Sequence, residues 1–373
     1  MNILTFSRTV NNNTRLGICF AAVLAAGTGW WAWRSRDNAG RNEVATPAAG
    51  VADLSPEAAL SVALAVAQRS HNSLGGMKAL SDLKTALLGM EPRHAAAWIT
   101  ARLASGDDFS TGRDLALGQS GSLTEWPALR VFLLDTLFII EPAAAAELGR
   151  RILQSPTTAD EWALAMRNVG AGSPSTEDVA LLKTKSAEML HSETWRKEAS
   201  AGYLQAFDVI VHTQNVALSP ELIQSTGDTA NKAVRHAAFL TLDRLTLAEP
   251  VAMLEKLIPS AAAQPDTALM VSNMVARADV RDPAQRRLVE DYLLDEKRTA
   301  AEVQAFTGVF PNASQFVSPN LLTKVATIPG AELTARDRGA LQVVEAWLGD
   351  PRFSRIHASL LGTRGRLRSF VTP

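Results

Sequence analysis

The clearest helical pattern in the chain is NKAVRHAAFLTLDRL, residues Asn231–Leu245. Its apolar side chains at Val234, Ala238, Leu242 and Leu245 recur at helical spacing, which places them on one stripe of an α-helix. Alanine on that stripe lets a neighbouring helix approach closely. The stretch therefore predicts a helix that buries one face, and a fold in which helices pack on helices.

Helix starts elsewhere are marked by a proline that follows a serine or an acidic residue. Proline suits the first helical turn because its missing N–H would have no partner there, and the preceding residue can cap the helix. These prolines are Pro56, Pro92, Pro142, Pro220, Pro250, Pro283, Pro319 and Pro351. Because no convincing run of alternating residues indicates strands, the sequence predicts an all-α domain over residues 53–373.

The last five of these prolines are spaced by 30, 33, 36 and 32 residues. Each spacing is about the length of a helix pair, which is typical of stacked helical hairpins. Chance spacing of a common capping device stays open as the alternative. We expect an irregular helical-hairpin stack, or α-solenoid, with a division into two halves near residue 215 left open.

Within residues 231–245, a Val-Arg pair (Val234 and Arg235) precedes an alanine pair (Ala237 and Ala238) and spaced leucines. This order resembles the inner helix of HEAT-type repeats. A looser echo at Ala128–Leu137 lacks the alanine pair. The resemblance implies a HEAT-like α-solenoid whose other repeats are irregular, and it implies a binding scaffold as the usual use of that fold.

An uncharged apolar stretch, Leu16–Trp33 (LGICFAAVLAAGTGWWAW), precedes this domain. Its length as a helix is roughly 27 Å, close to the ~30 Å hydrocarbon core of a bilayer. The three tryptophans at its end suit the headgroup zone. We expect a transmembrane anchor, or uncleaved signal, at residues 16–33, with a short tail at 1–15 and a flexible linker at 34–52.

Two other interpretations of this stretch stay open: a signal peptide cleaved at Ala25-Ala26-Gly27, and a buried N-terminal helix. Large domains translocate largely regardless of flanking charge. We therefore expect a single-pass membrane protein with its large domain outside the cytoplasm, in the periplasm if the protein is bacterial. Small residues then form one face of the membrane helix, suited to contact with another helix. They are Gly17, Ala21, Ala25 and Gly29.

The charge balance argues against a general nucleic-acid binder. The first 50 residues hold five of the 37 basic and two of the 38 acidic residues, which leaves 32 basic against 36 acidic in the rest. A nucleic-acid-binding domain usually shows a basic excess or stripe. The 6% aromatic content, beside abundant alanine and leucine, favours helix packing.

A second apolar run, Val131–Ile140 (VFLLDTLFII), is too short to cross a membrane and would leave Asp135 unpaired in lipid. We expect it to be the most buried helix of the domain. Asp135 then needs a hydrogen-bond donor, for which Arg130, Arg150 and Arg151 are the candidates.

The sequence contains no recognised catalytic motif. The six histidines show no metal-ligand spacing, and the glycine-rich phosphate-binding loops are missing. Residues 118–122 (GQSGS) approach a nucleophile elbow but end in serine, so we expect a loop there. Acidic pairs at 107–108, 290–291 and 295–296 are interpreted as solvated helix ends. The sequence therefore predicts no cofactor, no metal and no enzyme activity.

Two groups of side chains are candidates for binding a partner: tryptophans, which often anchor partners, and a basic C-terminus. They are Trp98, Trp126, Trp195, Trp347, Arg364, Arg366 and Arg368. A further tryptophan, Trp162, lies on an apolar helical stripe and is expected in the core.

The sequence-based hypothesis is a membrane-tethered, non-catalytic scaffold that binds another protein or an envelope polymer. Two alternatives stay open. One is a helical envelope enzyme whose acidic residues converge only in the fold. The other is a structural subunit of a membrane complex that uses its transmembrane helix as an interface.

Overall fold

The computed structural model describes residues 55–69, 74–118, 121–263 and 267–371. Across these ranges the chain forms 17 α-helices and one two-stranded hairpin, which confirms the all-α class. The predicted tail, membrane anchor and linker all precede residue 55 and so lie outside the described residues. None of the described helices is both long and apolar enough to cross a membrane.

The helices are α1 (Pro56–Arg69), α2 (Leu74–Leu88), α3 (Pro92–Ser105), α4 (Leu129–Ile140), α5 (Pro142–Ile152), α6 (Ala159–Gly170), α7 (Thr176–His191), α8 (Glu193–Lys197), α9 (Ala201–His212), α10 (Ser219–Thr226), α11 (Lys232–Ala248), α12 (Pro250–Ala263), α13 (Ala268–Val275), α14 (Pro283–Leu294), α15 (Ala300–Val309), α16 (Gly330–Gly349) and α17 (His357–Val371). Two short 3₁₀ helices span Val216–Leu218 and Pro351–Ile356.

The hairpin pairs β1 (Ala116–Leu117) with β2 (Leu123–Glu125) in antiparallel fashion. Its strands are two and three residues long, which is too short for an alternating apolar pattern to show in the sequence. Gly118, Gly121 and Ser122 lie in the connection between the strands, which confirms the predicted loop at those residues; positions 119 and 120 lie outside the described residues.

Helices that are adjacent in the chain pack against each other, as α1 does with α2, α5 with α6, α10 with α11 and α16 with α17. Alternate helices also lie side by side. One such series joins α4, α6, α9 and α11, a second joins α13, α15 and α17, and a third joins α10, α12 and α14. Helix pairs stacked on helix pairs are compatible with a solenoid-like fold.

The stripe predicted for residues 231–245 forms the buried face of α11. Val234, Ala238, Leu242 and Leu245 are each at most 1% exposed. Asn231 caps this helix, because its side chain accepts hydrogen bonds from two backbone N–H groups of the first turn. The clearest pattern in the sequence therefore gives both the helix and the face that it buries.

The most buried helix is α6 rather than the predicted run Val131–Ile140. Eleven of the 12 residues of α6 are buried, against eight of 12 in α4, which contains that run. Four helices, α4, α5, α7 and α9, pack on α6, whereas Ile139 in the last turn of α4 is exposed. Trp162 of α6 is 8% exposed, so its predicted place in the core is confirmed.

Seven of the eight predicted proline starts are correct. Five prolines open α-helices, a sixth is the second residue of α10 and a seventh opens a 3₁₀ helix; in chain order they are Pro56, Pro92, Pro142, Pro220, Pro250, Pro283 and Pro351. The pairs α10–α11, α12–α13 and α14–α15 each begin with this device. Pro319 does not start a helix, so the regular spacing holds only from Pro220 to Pro283.

Asp135 pairs with none of the three predicted arginines. Its Oδ1 accepts a hydrogen bond from Arg167 Nη1 at 2.7 Å, and its Oδ2 accepts one from Trp126 Nε1 at 2.9 Å. Asp135 and Arg167 are each about 1% exposed, so the two charges are desolvated together. The predicted arginines bond elsewhere, Arg130 to Glu161 and Arg150 to Asp178 among them.

The same pairing recurs along the stack. Asp208 of α9 bonds Arg244 of α11 at 2.6 Å, and the adjacent Asp243 of α11 bonds Arg277, just after α13, at 2.5 Å. The partners are 32, 36 and 34 residues apart in the three pairs. A buried carboxylate on one helix thus meets an arginine about one helix pair later in the chain.

We expect Asp135→Asn to lower the free energy of unfolding by about 3–5 kcal/mol, because it leaves the Arg167 charge buried without a counter-charge. Urea unfolding of the purified chain measures this change. Adding Arg167→Met should recover part of the loss, because it removes the buried charge; Lys84, the other cation near Asp135 at 4.0 Å, is 23% exposed and keeps contact with water.

The control is Asp82→Asn, in a pair with Lys78 whose side chain is 72% exposed. Exposed pairs contribute at most about 1 kcal/mol. Equal losses for Asp135→Asn and Asp82→Asn would contradict the assignment of Asp135 as a buried structural anchor.

Candidate functional site

A long non-helical segment, residues 310–329, joins α15 to α16 and crosses the ends of several helices. We call it the strap. It contains Pro319, where a helix was predicted. In a helix the N–H groups of Leu322 and Thr323 would bond to carbonyls four residues earlier. Here both donate instead to Asp208 Oδ2, at 2.7 and 2.9 Å. These two N–H groups thus bond to a buried carboxylate instead of to the backbone carbonyls of a helix.

Asp208 and Arg244 hold the centre of the strap. Asp208 is 3% exposed, and its Oδ1 accepts hydrogen bonds from Arg244 and from the Thr323 hydroxyl. Arg244 Nη1 donates to Asn320 Oδ1 at 3.2 Å. The pair therefore contacts two adjacent backbone N–H groups, one hydroxyl and one side-chain amide of an extended chain.

Two glycines make room for this part of the strap. A Cβ on Gly170, the last residue of α6, would lie 2.8 Å from Leu322 Cδ1. A Cβ on Gly121, in the hairpin connection, would lie 2.9 Å from the Asn320 carbonyl oxygen and 3.0 Å from that of Leu321. We call Gly121, Gly170, Asp208 and Arg244 together the strap site.

Arg277 holds the start of the strap. Its Nη1 donates to the Ser314 carbonyl at 2.7 Å while its Nε bonds Asp243. The second Asp243 oxygen, Oδ2, has no hydrogen-bond partner among the described residues. Burial raises the pKa of Asp243 to about 6, against the opposing attraction of Arg277 and Arg244. One oxygen of the Asp243 carboxylate is therefore buried without a hydrogen bond, whereas both oxygens of Asp208 accept hydrogen bonds.

A pocket of about 300 Å³ opens beside the end of the strap. Its lining comprises Thr246, Leu247, Pro250, Arg277, Asp279, Gln285, Ile328, Glu332 and Arg336. The charged groups are paired within the protein: Arg281 bridges Asp279 and Glu332, and Arg336 donates to the Arg277 carbonyl. Burial acts to raise the pKa of Asp279, but Arg281 and Arg336 hold it below its ordinary value. Asp279 is thus a poor proton donor near neutral pH.

The four candidate tryptophans lie in two kinds of environment. Trp126 and Trp347 are 6% and 3% exposed and donate to Asp135 and Glu290, so both rings belong to the core. Trp98 and Trp195 are half-buried. Trp98 bonds Glu57, and Trp195 packs edge-on against Trp162. Binding of a partner by Trp98 or Trp195 stays a prediction.

The candidate arginines of the C-terminus lie on α17. Arg366 donates to the carbonyls of Gly308 and Phe310 and so satisfies groups at the end of α15. Arg368 bonds Glu345, and Arg364 is half-buried. The structure does not bring these arginines to the strap site. The candidate membrane-helix residues Gly17, Ala21, Ala25 and Gly29 lie outside the described residues.

Within the described parts of the chain, no cluster of three or more acidic, histidine or cysteine side chains is arranged to hold a metal ion. No known protein family, curated protein or solved structure matches this chain. Function is therefore inferred from the geometry of the strap site.

Sequence analysis missed Asp208, Arg244 and the strap. The available signal was an isolated acidic residue within an apolar helical run, as in QAFDVIVH around Asp208. The same signal at Asp135 correctly indicated a buried acidic residue. No local pattern connects Asp208 with Thr323, since 115 residues separate them.

We expect Asp208→Asn to increase amide exchange at Leu322 and Thr323 about tenfold or more, because their hydrogen bonds to a charged acceptor are weakened. Hydrogen exchange followed by mass spectrometry measures this change. Asp291→Asn, at a largely exposed carboxylate of α14, is the control. Unchanged exchange in Asp208→Asn would contradict the described role of Asp208.

A pair of glycine variants tests the same contact from the hairpin side. Gly121 and Gly172 have φ values of +76° and +77°, so alanine imposes a similar backbone strain at both. Nothing lies within 4 Å of a Cβ on Gly172, whereas one on Gly121 meets the strap backbone. Only Gly121→Ala should speed exchange in the strap.

A pH prediction follows from Asp243. Its pKa is about 6 in the folded protein, against roughly 3.9 in an unfolded chain, so the folded state binds more protons between these values. Stability from this group is present at low pH and is lost as pH rises through 6. Relative to Asp243→Asn, the unfolding free energy of the wild type should fall by about 2–3 kcal/mol between pH 4 and pH 6.5. If the unfolding free energies of the wild type and Asp243→Asn, measured with urea, changed with pH by the same amount, this pKa assignment would be refuted.

Proposed function

We propose that this protein is a membrane-tethered, non-catalytic scaffold of HEAT-like helical repeats that binds another protein. The observation that carries the proposal is the strap site, where rigid helices hold an extended polypeptide through buried polar side chains. The amide N–H groups of Leu322 and Thr323, bound side by side, are a feature of polypeptides. This chemistry favours a protein partner over an envelope polymer.

The length of the strap supports a binding role for this face. Segments of more than about 12–15 residues without secondary structure are uncommon inside compact domains, and those that occur are often functional. The strap has 20 such residues, between Val309 and Gly330. Closing a long loop costs conformational entropy, and contacts of the strap with Asp208, Arg244 and Arg277 oppose that cost.

The HEAT-like part of the proposal is supported by three features. One is the order of residues in α11. Another is the proline in the first turn of the first helix of each of three pairs, α10–α11, α12–α13 and α14–α15. The third is the recurrence of a buried Asp–Arg contact about one helix pair apart, as in Asp208–Arg244 and Asp243–Arg277.

The pocket beside the strap is one candidate location for the active site of the enzyme alternative. General acid–base catalysis needs a group whose pKa lies near the working pH and which can reach the substrate. Asp243 has such a pKa, but it is not among the residues that line the pocket. Asp279 lines the pocket, but its pKa is lowered. The carboxylate with a suitable pKa does not line the pocket, and the one that lines the pocket has an unsuitable pKa. This favours a binding function over a catalytic one.

Cross-linked affinity capture from native membranes tests the scaffold proposal, with the full-length chain beside a chain that lacks residues 1–34. We expect the same protein partner with both, because recognition is assigned to the helical domain. A partner seen only with the full-length chain would move recognition to the N-terminal segment. No reproducible partner with either chain would refute the proposal.

A further inference from the structure

We infer that the strap site is a peptide-binding site occupied in cis, and that its ligand in a partner protein is an uncharged extended segment resembling Asn320–Thr323 (Asn-Leu-Leu-Thr). This inference rests on the proposed scaffold function and names the ligand class of the same site. The strap then acts as an internal competitor that the partner segment displaces.

The polar contacts define two positions of such a segment. The side chain at the first position needs an amide oxygen, because Arg244 Nη1 donates to Asn320 Oδ1. The side chain at the fourth position needs a hydroxyl, because Asp208 Oδ1 accepts from Thr323. Serine would meet the second requirement, whereas valine has the shape of threonine without the donor.

The apolar contacts define the two positions between them. Leu321 is 5% exposed, so the second position takes a buried aliphatic side chain. Leu322 lies over Gly170, where even one added carbon would approach its Cδ1 to 2.8 Å. The third position therefore also takes an aliphatic side chain, in a space kept open by glycine.

The charge state of the site sets the charge of the ligand. Asp208 and Arg244 neutralise each other at 2.6 Å, and both are largely removed from water. A charged ligand side chain at either contact would leave one buried charge uncompensated, which is costly. The site therefore selects a neutral segment and binds it through hydrogen bonds to its backbone and to two polar side chains.

Displacement is feasible because most residues of the strap are partly or fully exposed, whereas the side chain that binds them is buried in the helical domain. Within the strap, Phe310, Asn312 and Leu321 are the buried residues, and Val317, three residues before Asn320, is 75% exposed. Asp208, in contrast, is fixed on a helix and 3% exposed. An external segment can therefore replace residues 320–323 without dismantling the helices that receive them.

The test is fluorescence polarisation with a labelled synthetic peptide of residues 318–325 (SPNLLTKV). It is titrated against the full-length wild type and against a released variant, Asn320→Ala with Leu322→Ala and Thr323→Ala, which weakens the strap in cis. An intramolecular competitor acts at millimolar effective concentration. We expect the released variant to bind the peptide at least about tenfold more tightly than the wild type.

Two controls make the result specific. A peptide that carries Asn320→Ala and Thr323→Val should bind the released variant at least about tenfold more weakly, since both polar contacts are lost. Adding Asp208→Asn to the released variant should weaken binding of the original peptide to a similar extent. Equal binding of both peptides to a folded released variant would overturn the inference.

A second measurement covers the outcome in which the released variant does not fold. Wild-type chain is mixed with saturating isotope-labelled peptide, and amide exchange is followed in its own strap. Faster exchange at residues 320–323 supports displacement, and unchanged exchange at saturation overturns it.

The failure of this inference can be told apart from failure of the scaffold proposal. A captured partner that binds Asp208→Asn as well as it binds the wild type would leave the scaffold proposal intact and overturn the assignment of the strap site.

Discussion

Buried pairing of aspartate with arginine is the constraint on which the rest of this structure depends. A carboxylate removed from water must meet a counter-charge, or its desolvation cost is not offset. Asp135, Asp208 and Asp243 each meet a counter-charge on an arginine on or beside a later helix of the stack, although at Asp243 burial outweighs that attraction and raises the pKa. Because each pair accepts only a narrow geometry, it fixes how far one helix can slide or rotate against its neighbour. Apolar packing alone would tolerate more alternatives.

The same pairs also explain how a helical stack can hold an extended chain. An aspartate has about four acceptor positions and an arginine five donors, so one ion pair leaves several hydrogen bonds to be made. At Asp208 those bonds are made by backbone N–H groups and a hydroxyl of the strap, and at Arg277 by a strap carbonyl. The groups that hold the helices together are therefore also the groups that hold the extended strap.

Two of the errors in the sequence-based predictions have one physical origin. Pro319 carried the same local signal as the prolines that do start helices, but Asp208 captured the N–H groups that its helix would have needed. Asp135 was correctly seen to need a donor, but nearby arginines were chosen because they were close in sequence. Its partner, Arg167, lies one helix pair later. In both cases a distant ionisable group overrode a local preference.

The sequence alone determined the all-α class and seven of the eight helix starts predicted from proline, because capping, proline placement and the apolar stripe act within a few residues of one another. It also determined the buried face of α11 and the loop of the hairpin. Only the tertiary structure decided which arginine meets which aspartate and where the strap lies. Those contacts join residues 32 to 115 positions apart, and no local pattern encodes such a distance. The strap site depends on these long-range contacts, so it became visible only in the folded chain.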